Sequence, residues 1–182
     1  MSKKEELKKL ARKITDCTKC ALKGSRENTV PDEGPVNAKI MIIGQAPGAK
    51  ENETGRPFVG RAGQFLNYLL EIAEIERKRV FITSIIKCFP PKNRKPTKKE
   101  IEFCLPYLKD QIKIINPQNI ILLGEVAFSA FFPNEKIKDS RGKWIKKYGK
   151  QFFVTYHPAA GLRFPKIKKL LEKDFQKLKI KK

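Results

Sequence analysis

The stretch Lys39–Gly63, KIMIIGQAPGAKENETGRPFVGRAG, decides how this chain is read. An apolar run, Ile40–Ile43, stops abruptly at Gly44-Gln45-Ala46-Pro47-Gly48, and a helix start follows near Arg61. A short apolar run bounded by Gly and Pro reads as a strand buried on both faces of a parallel sheet. Open α/β sheets place ligands beyond the carboxyl ends of such strands, where loops leave the sheet and a crevice opens. Gly44 and Gly48 free the backbone and Pro47 restricts it, so that amides can approach a ligand closely. Taken alone, the stretch reads first as an ordinary βα turn.

Upstream, Leu7, Leu10, Ala11 and Ile14 recur at helical spacing across residues 2–14 and lead to Cys17-Thr18-Lys19-Cys20. A polar segment from Gly24 to Pro35 has no clear period. Downstream, Phe65, Leu66, Leu69, Leu70 and Ala73 line one face of a helix opening at Arg61. Val80–Thr83 predicts a second strand, running on through Ser84-Ile85-Ile86-Lys87-Cys88. The prolines of Phe89–Pro96 forbid regular structure. Thr97 with Glu100 is a capping-box signature for a helix with Ile101, Cys104, Leu105, Leu108, Ile112 and Ile115 inward, and Pro106 should kink it. Asn119–Leu123 and Gln151–Thr155 predict the third and fourth strands, with a short helix through Ala130 between them. A basic helix over Pro165–Lys179, with Leu170, Leu171, Phe175 and Leu178 inward, closes the chain. Strands alternating with helices imply right-handed crossovers, hence an α/β three-layer α/β/α sandwich around a four-stranded parallel sheet in a single domain.

Charge bounds the partners. Forty Lys and Arg against 19 Asp and Glu give +21, which calls for a polyanion. Nucleic acid is the first reading; a membrane surface and a heat-adapted, lysine-rich surface are its rivals. No segment has the apolar length to span a bilayer and no signal-peptide pattern opens the chain, so a cytoplasmic, monomeric protein is expected. Lys87, Lys92, Arg94 and Lys95 flank the Pro-rich loop, and Lys166, Lys168, Lys169, Lys173 and Lys177 lie on the last helix. Each run alone is a solvated face; together they should track phosphates.

Four cysteines in such a chain point to a metal site rather than disulfides. Cys17-x2-Cys20 and Cys88-x15-Cys104 can enclose tetrahedral zinc or an iron–sulfur cluster, and the spacing does not choose between them. Cys104 on an apolar helix face also suits the core. His157, the one histidine, stands where the fourth strand ends, on the sheet edge that carries Gly44–Gly48. Pro158–Arg163 after it reads as an exposed loop whose Leu162 can either wedge into a base stack or pack beneath the loop. Phe58 can stack on a planar base or serve as core.

Together, Gly44–Gly48, GRPFVGRAG, IKCFPPKNRKP, the cysteine spacing and HPAAGLR resemble the iron–sulfur, family 4 uracil-DNA glycosylases, over about Asp16–Phe175. The resemblance implies the uracil-glycosylase fold, a [4Fe–4S] cluster on Cys17, Cys20, Cys88 and Cys104, and excision of uracil from double- or single-stranded DNA. It implies that Gly44, Gln45, Ala46, Pro47 and Gly48 form the loop that activates water and contacts uracil, and that Phe58 stacks on the base. It makes His157 the donor to uracil O2 and places Leu162 and Arg163 in the minor groove, and Val59 and Gly60 are expected to shape the pocket and limit access of thymine's methyl. Two positions depart from the family pattern: Gln45 stands where Glu is usual and Ser84 where Asn is usual. Gln45 cannot take a proton but can orient water. Ser84 offers one hydroxyl where an amide offers a donor and an acceptor, so base preference is expected to broaden or shift.

Overall fold

The computed structural model describes residues 1–178. Five strands form one sheet in the order β2-β1-β3-β5-β4, where β1 is Ile40–Gly44, β2 Val80–Ser84, β3 Asn119–Leu123, β4 Trp144–Lys147 and β5 Lys150–Thr155. The four expected strands pair in parallel, in register Ile40 to Val80, Ile40 to Asn119 and Asn119 to Gln151. The expectation of a four-stranded sheet is corrected by β4, which pairs antiparallel with β5 through a tight turn at Tyr148-Gly149. As an edge strand with one wet face, Trp144-Ile145-Lys146-Lys147 alternates between exposed and half-buried residues. Its lysines hide a strand pattern that the buried strands announce with Ile, Leu and Val.

Eight α-helices accompany the sheet among the described residues: α1 Lys3–Thr15, α2 Ala49–Thr54, α3 Arg61–Ile72, α4 Lys98–Ile115, α5 Glu125–Ser129, α6 Ile137–Ser140, α7 Pro158–Arg163 and α8 Pro165–Gln176. The period-two alternation of a strand divides the core. Met41, Ile43, Phe81, Ile120, Leu122, Phe152 and Val154 face α1, α4 and α5. Ile42, Val80, Ile82, Ile121, Leu123 and Phe153 face α3 and α8. The three-layer expectation therefore holds. The chain leaves β1 for α3 on one face and β2 for α4 on the other, so the crevice opens at the carboxyl end of β1.

Local chemistry sets the ends of these elements. Ser2 with Glu5, and Thr97 with Glu100, close reciprocal capping boxes at the starts of α1 and α4. α4 runs unbroken through Pro106, and its most buried face is Tyr107, Leu108, Gln111 and Ile115; Ile101, Cys104, Leu105 and Ile112 are half-buried. α8 ends at Gln176 with Leu171 and Phe175 in the core and Leu170 half-buried, and Lys179 of the expected helix lies outside the described residues.

β5 and α8 are tied by a buried carboxylate. Asp174 is fully buried, accepting from Arg141 Nη1 at 2.6 Å and from Thr155 Oγ1 at 2.7 Å. Removing one partner of such a pair leaves an uncompensated charge, at a cost of about 3–5 kcal/mol. Asp174→Ala should lower the melting temperature by roughly 6 °C or more, since about 1 kcal/mol moves a domain of this size by 2–4 °C. A calorimetric change under about 2 °C would refute the tie.

Candidate active site

The carboxyl ends of β1, β2 and β5 and the starts of α2, α3 and α7 surround a cleft of about 710 Å³. It is lined by the whole loop Gln45–Gly48, by Phe58 and Ser84, by His157, and by Leu162 and Arg163. Gly44 does not line the cleft but packs beneath Phe58: a Cβ there would lie 2.7 Å from Phe58 Cζ and 3.4 Å from Ser84 Oγ. Phe58 holds a positive φ of 51° and is buried, its ring facing the imidazole of His157 at 5.7 Å and 26°. The Phe58 carbonyl lies against Gly63, where any side chain would overlap it, which seats the first turn of α3 against the aromatic residue.

His157 is positioned twice. It follows β5 after one residue, Tyr156, and is the N-cap of α7, where its Nδ1 accepts the Ala159 N–H at 3.2 Å. An imidazole whose Nδ1 accepts carries its proton on Nε2. Burial holds its pKa down to about 4, with the Glu51 carboxylate pulling the other way, so the ring is neutral at physiological pH. The expectation of an exposed loop after it is corrected: Pro158 takes the first helical position and Pro158–Arg163 forms α7. Gly161 packs this short helix on Leu171 and Phe65, leaving Leu162 at 42% exposure and Phe164 at 56%.

The sequence reading passed over Glu51. The carboxylate is buried and accepts from three backbone amides, Gly48 at 3.0 Å, Val59 at 2.9 Å and Gly60 at 2.8 Å. It thus fixes the loop after β1 against the entry to α3. Helix α2, which carries it, was equally unforeseen. The one signal was Gly48 followed three residues later by Glu51, a capping pattern whose cap lacks a side chain.

The basic residues divide. Lys87, expected at the phosphate backbone, is 1% exposed and cannot reach DNA. Arg94 lines the cleft, but its guanidinium is forked onto Glu100 at 2.6 and 2.9 Å, which offsets its charge and pulls the Glu100 carboxyl down to about 2. Lys92 and Lys95, Lys166, Lys168, Lys169 and Lys173 on α8, and Lys177 at its C-terminal cap are exposed. The cations on the cleft wall itself are Lys50, Arg61, Arg94 and Arg163.

The four cysteines, from the end of α1, the segment after β2 and the middle of α4, line a second, small cavity with Arg26, Lys87, Phe103 and Tyr107. Arg26 Nη1 donates to Cys88 Sγ at 3.3 Å, and the Lys87 amide donates to Cys104 Sγ at 3.2 Å. Burial pushes the Cys104 thiol up to about 11 and raises Cys88 as well, so as free thiols both keep their protons and metal binding would release them. Among the described residues no group of three or more His, Cys, Asp or Glu side chains is placed to hold a single ion. The donor set, four thiols around one cavity with donors aimed at two of the sulfurs, suits tetrahedral zinc or an iron–sulfur cluster.

A parallel sheet whose carboxyl edge brings a glycine loop, an aromatic ring and a neutral histidine to one cleft defines a recognisable class. A family model of the Uracil DNA glycosylase superfamily matches residues 31–179. The chain belongs to that superfamily and, within it, to the type-4 uracil-DNA glycosylases. It is 44% identical to the type-4 uracil-DNA glycosylase of Pyrobaculum aerophilum, over 93% of this chain and 91% of that protein. The type-4 enzyme of Saccharolobus solfataricus is 45% identical, over 96% of this chain and 86% of its own length. That of Thermotoga maritima is 38% identical over 98% and 96%. Among the described residues no helix is long and apolar enough to cross a membrane.

Proposed function

We propose that the cleft takes a uracil base turned out of DNA and that the chain hydrolyses its N-glycosidic bond, leaving an abasic site. The observation that carries this reading is the neutral His157, whose Nδ1 is engaged by Ala159 and whose Nε2–H is free to donate within the cleft. The N1–C1′ bond breaks with its electron pair going to uracil, where charge gathers on O2. A neutral donor in a partly dry site stabilises that charge without the cost of giving up a proton. Water then adds to C1′ of the oxocarbenium ion and its proton leaves to solvent. Gln45 accepts a hydrogen bond from that water and orients it. Phe58, Ser84 and the backbone of Ala46, Pro47 and Gly48 hold the base.

On the DNA side, Leu162 enters the stack in place of the extruded base, with Arg163 and the free lysines of α8 on phosphates. Affinity for a uracil oligonucleotide should fall with rising salt, with a log–log slope of about −0.9 per phosphate neutralised on a duplex and about −0.7 on a single strand. Titrations between low and moderate salt check this, and a flat response would remove the nucleic-acid assignment.

Cys17, Cys20, Cys88 and Cys104 hold a [4Fe–4S] cluster in this reading. When bound it supplies a cross-link between the end of α1, the segment after β2, and α4, while hydrolysis runs on the residues of the cleft. The chain works as a single-domain monomer in the cytoplasm, where reduced thiols persist. Incubation of the purified, brown protein with a uracil-containing oligonucleotide tests the reading. Alkali-labile breaks at uracil, absent from the cytosine and thymine controls, are the expected result. Intact strands under single-turnover conditions would overturn it.

A further inference from the structure

A buried cation lies between the two sites. The Lys87 ammonium donates to Thr83 Oγ1 at 2.6 Å, to the Ser84 carbonyl at 2.6 Å and to Gln111 Oε1 at 2.7 Å. An ammonium has three protons, and all are used. Gln111 passes the contact on, donating Nε2 to the Asp32 carboxylate at 2.7 Å and to the Pro31 carbonyl at 2.9 Å. The main chain of Lys87 is equally engaged: its amide meets Cys104 Sγ at 3.2 Å, and its carbonyl accepts from Val30 at 2.8 Å. Just upstream, the amides of Ile85 and Ile86 hold the carbonyls of Gly44 and Gln45 at 2.9 and 3.2 Å. The segment Ser84–Lys87 is thus fastened to the cleft at one end and to the cysteine cavity at the other.

Burying an ammonium is costly, and an apolar side chain of like volume would often stabilise the fold as well or better. We propose that Lys87 is a positioning residue for base recognition. Its ammonium pins the Ser84 carbonyl, and with it the end of β2 on which the Gly44–Gln45 loop hangs. Lys87 touches no substrate and acts through Ser84. The inference rests on the glycosylase reading.

Lys87→Met keeps the chain length and the amide that faces Cys104 but removes all three ammonium donors. With active sites titrated, KM for a uracil oligonucleotide should rise about tenfold while kcat stays within about threefold, as expected for lost binding to ground and transition states alike. Gln111→Met leaves the Ser84 contact and should change KM by less than about threefold. Lys87→Gln retains a donor amide and should fall between Lys87→Met and the parent. Iron content should match the parent in all three. If Lys87→Met does not accumulate as folded protein, Lys87→Gln and Gln111→Met decide on the same criterion. A parent that cleaves uracil oligonucleotides while the Lys87 variants keep its KM overturns the positioning role alone. Variants that lose iron and active fraction together, at constant KM, reveal a scaffold role and overturn it too. A parent that leaves uracil in place refutes the glycosylase reading itself.

Discussion

His157→Ala lowers kcat for uracil release by about 10²–10³, with a much smaller effect on KM, because it removes a donor aimed at charge that exists in the transition state. The pH dependence carries a second signature. Burial holds His157 near a pKa of about 4, well below its ordinary 6.5. The ring of the parent is therefore neutral from about pH 5 to pH 8, and no histidine limb should appear in its rate profile across that window. Activity should fall only as the pH drops through 4, where the charged ring also loses the Ala159 contact. For stability, the unfolded chain takes up the proton below pH 6.5 while the native chain does so near 4. Stability must then decline as the pH falls from 6.5 to 4, and His157→Ala should flatten that segment. A rate profile breaking near pH 6.5, or an alanine variant with parental kcat, would sink the assignment.

Gln45→Glu should raise the single-turnover rate, by up to about 10²-fold, the lower end of general-base assistance. The physical ground is the place of residue 45, on the cleft wall at the end of β1, where a carboxylate could take the proton that the amide can only leave to solvent. A gain beyond this range is not expected, because the C1′ cation is electrophilic enough to capture an oriented water. Chemical-quench measurements on a uracil duplex check the direction. A rate well below that of the parent would show that Gln45 does not orient the water.

Several elements were legible because their cause is local. Ile40–Ile43 and Asn119–Leu123 are buried on both faces, so an unbroken apolar run was enough to place them. Thr97 and Glu100 marked the start of α4 because a capping box is a contact between residues three apart. Gly44–Gly48 and His157 could be nominated together because a parallel sheet sends every strand's carboxyl end to one edge, whereas Ser84 came from the family resemblance. Edge strand β4 escaped because one wet face blurs its alternation with lysine. Helix α2 escaped because its cap residue, Gly48, has no side chain.

Sequence alone therefore determined the layer architecture, the edge of the sheet where the cleft opens, the basic character and the cysteine quartet, since periodicity, strand direction and composition are properties of the chain itself. What a charged side chain does is different: it depends on what the fold places around it. Lys87, Arg94 and Lys168 look alike in a string of letters. Packing buries the first beneath Ser84, pairs the second with Glu100 and leaves the third in solvent. The tautomer and neutrality of His157, and the hold of Glu51 on three amides, likewise come from contacts across space and from the exclusion of water, which only the tertiary structure decides.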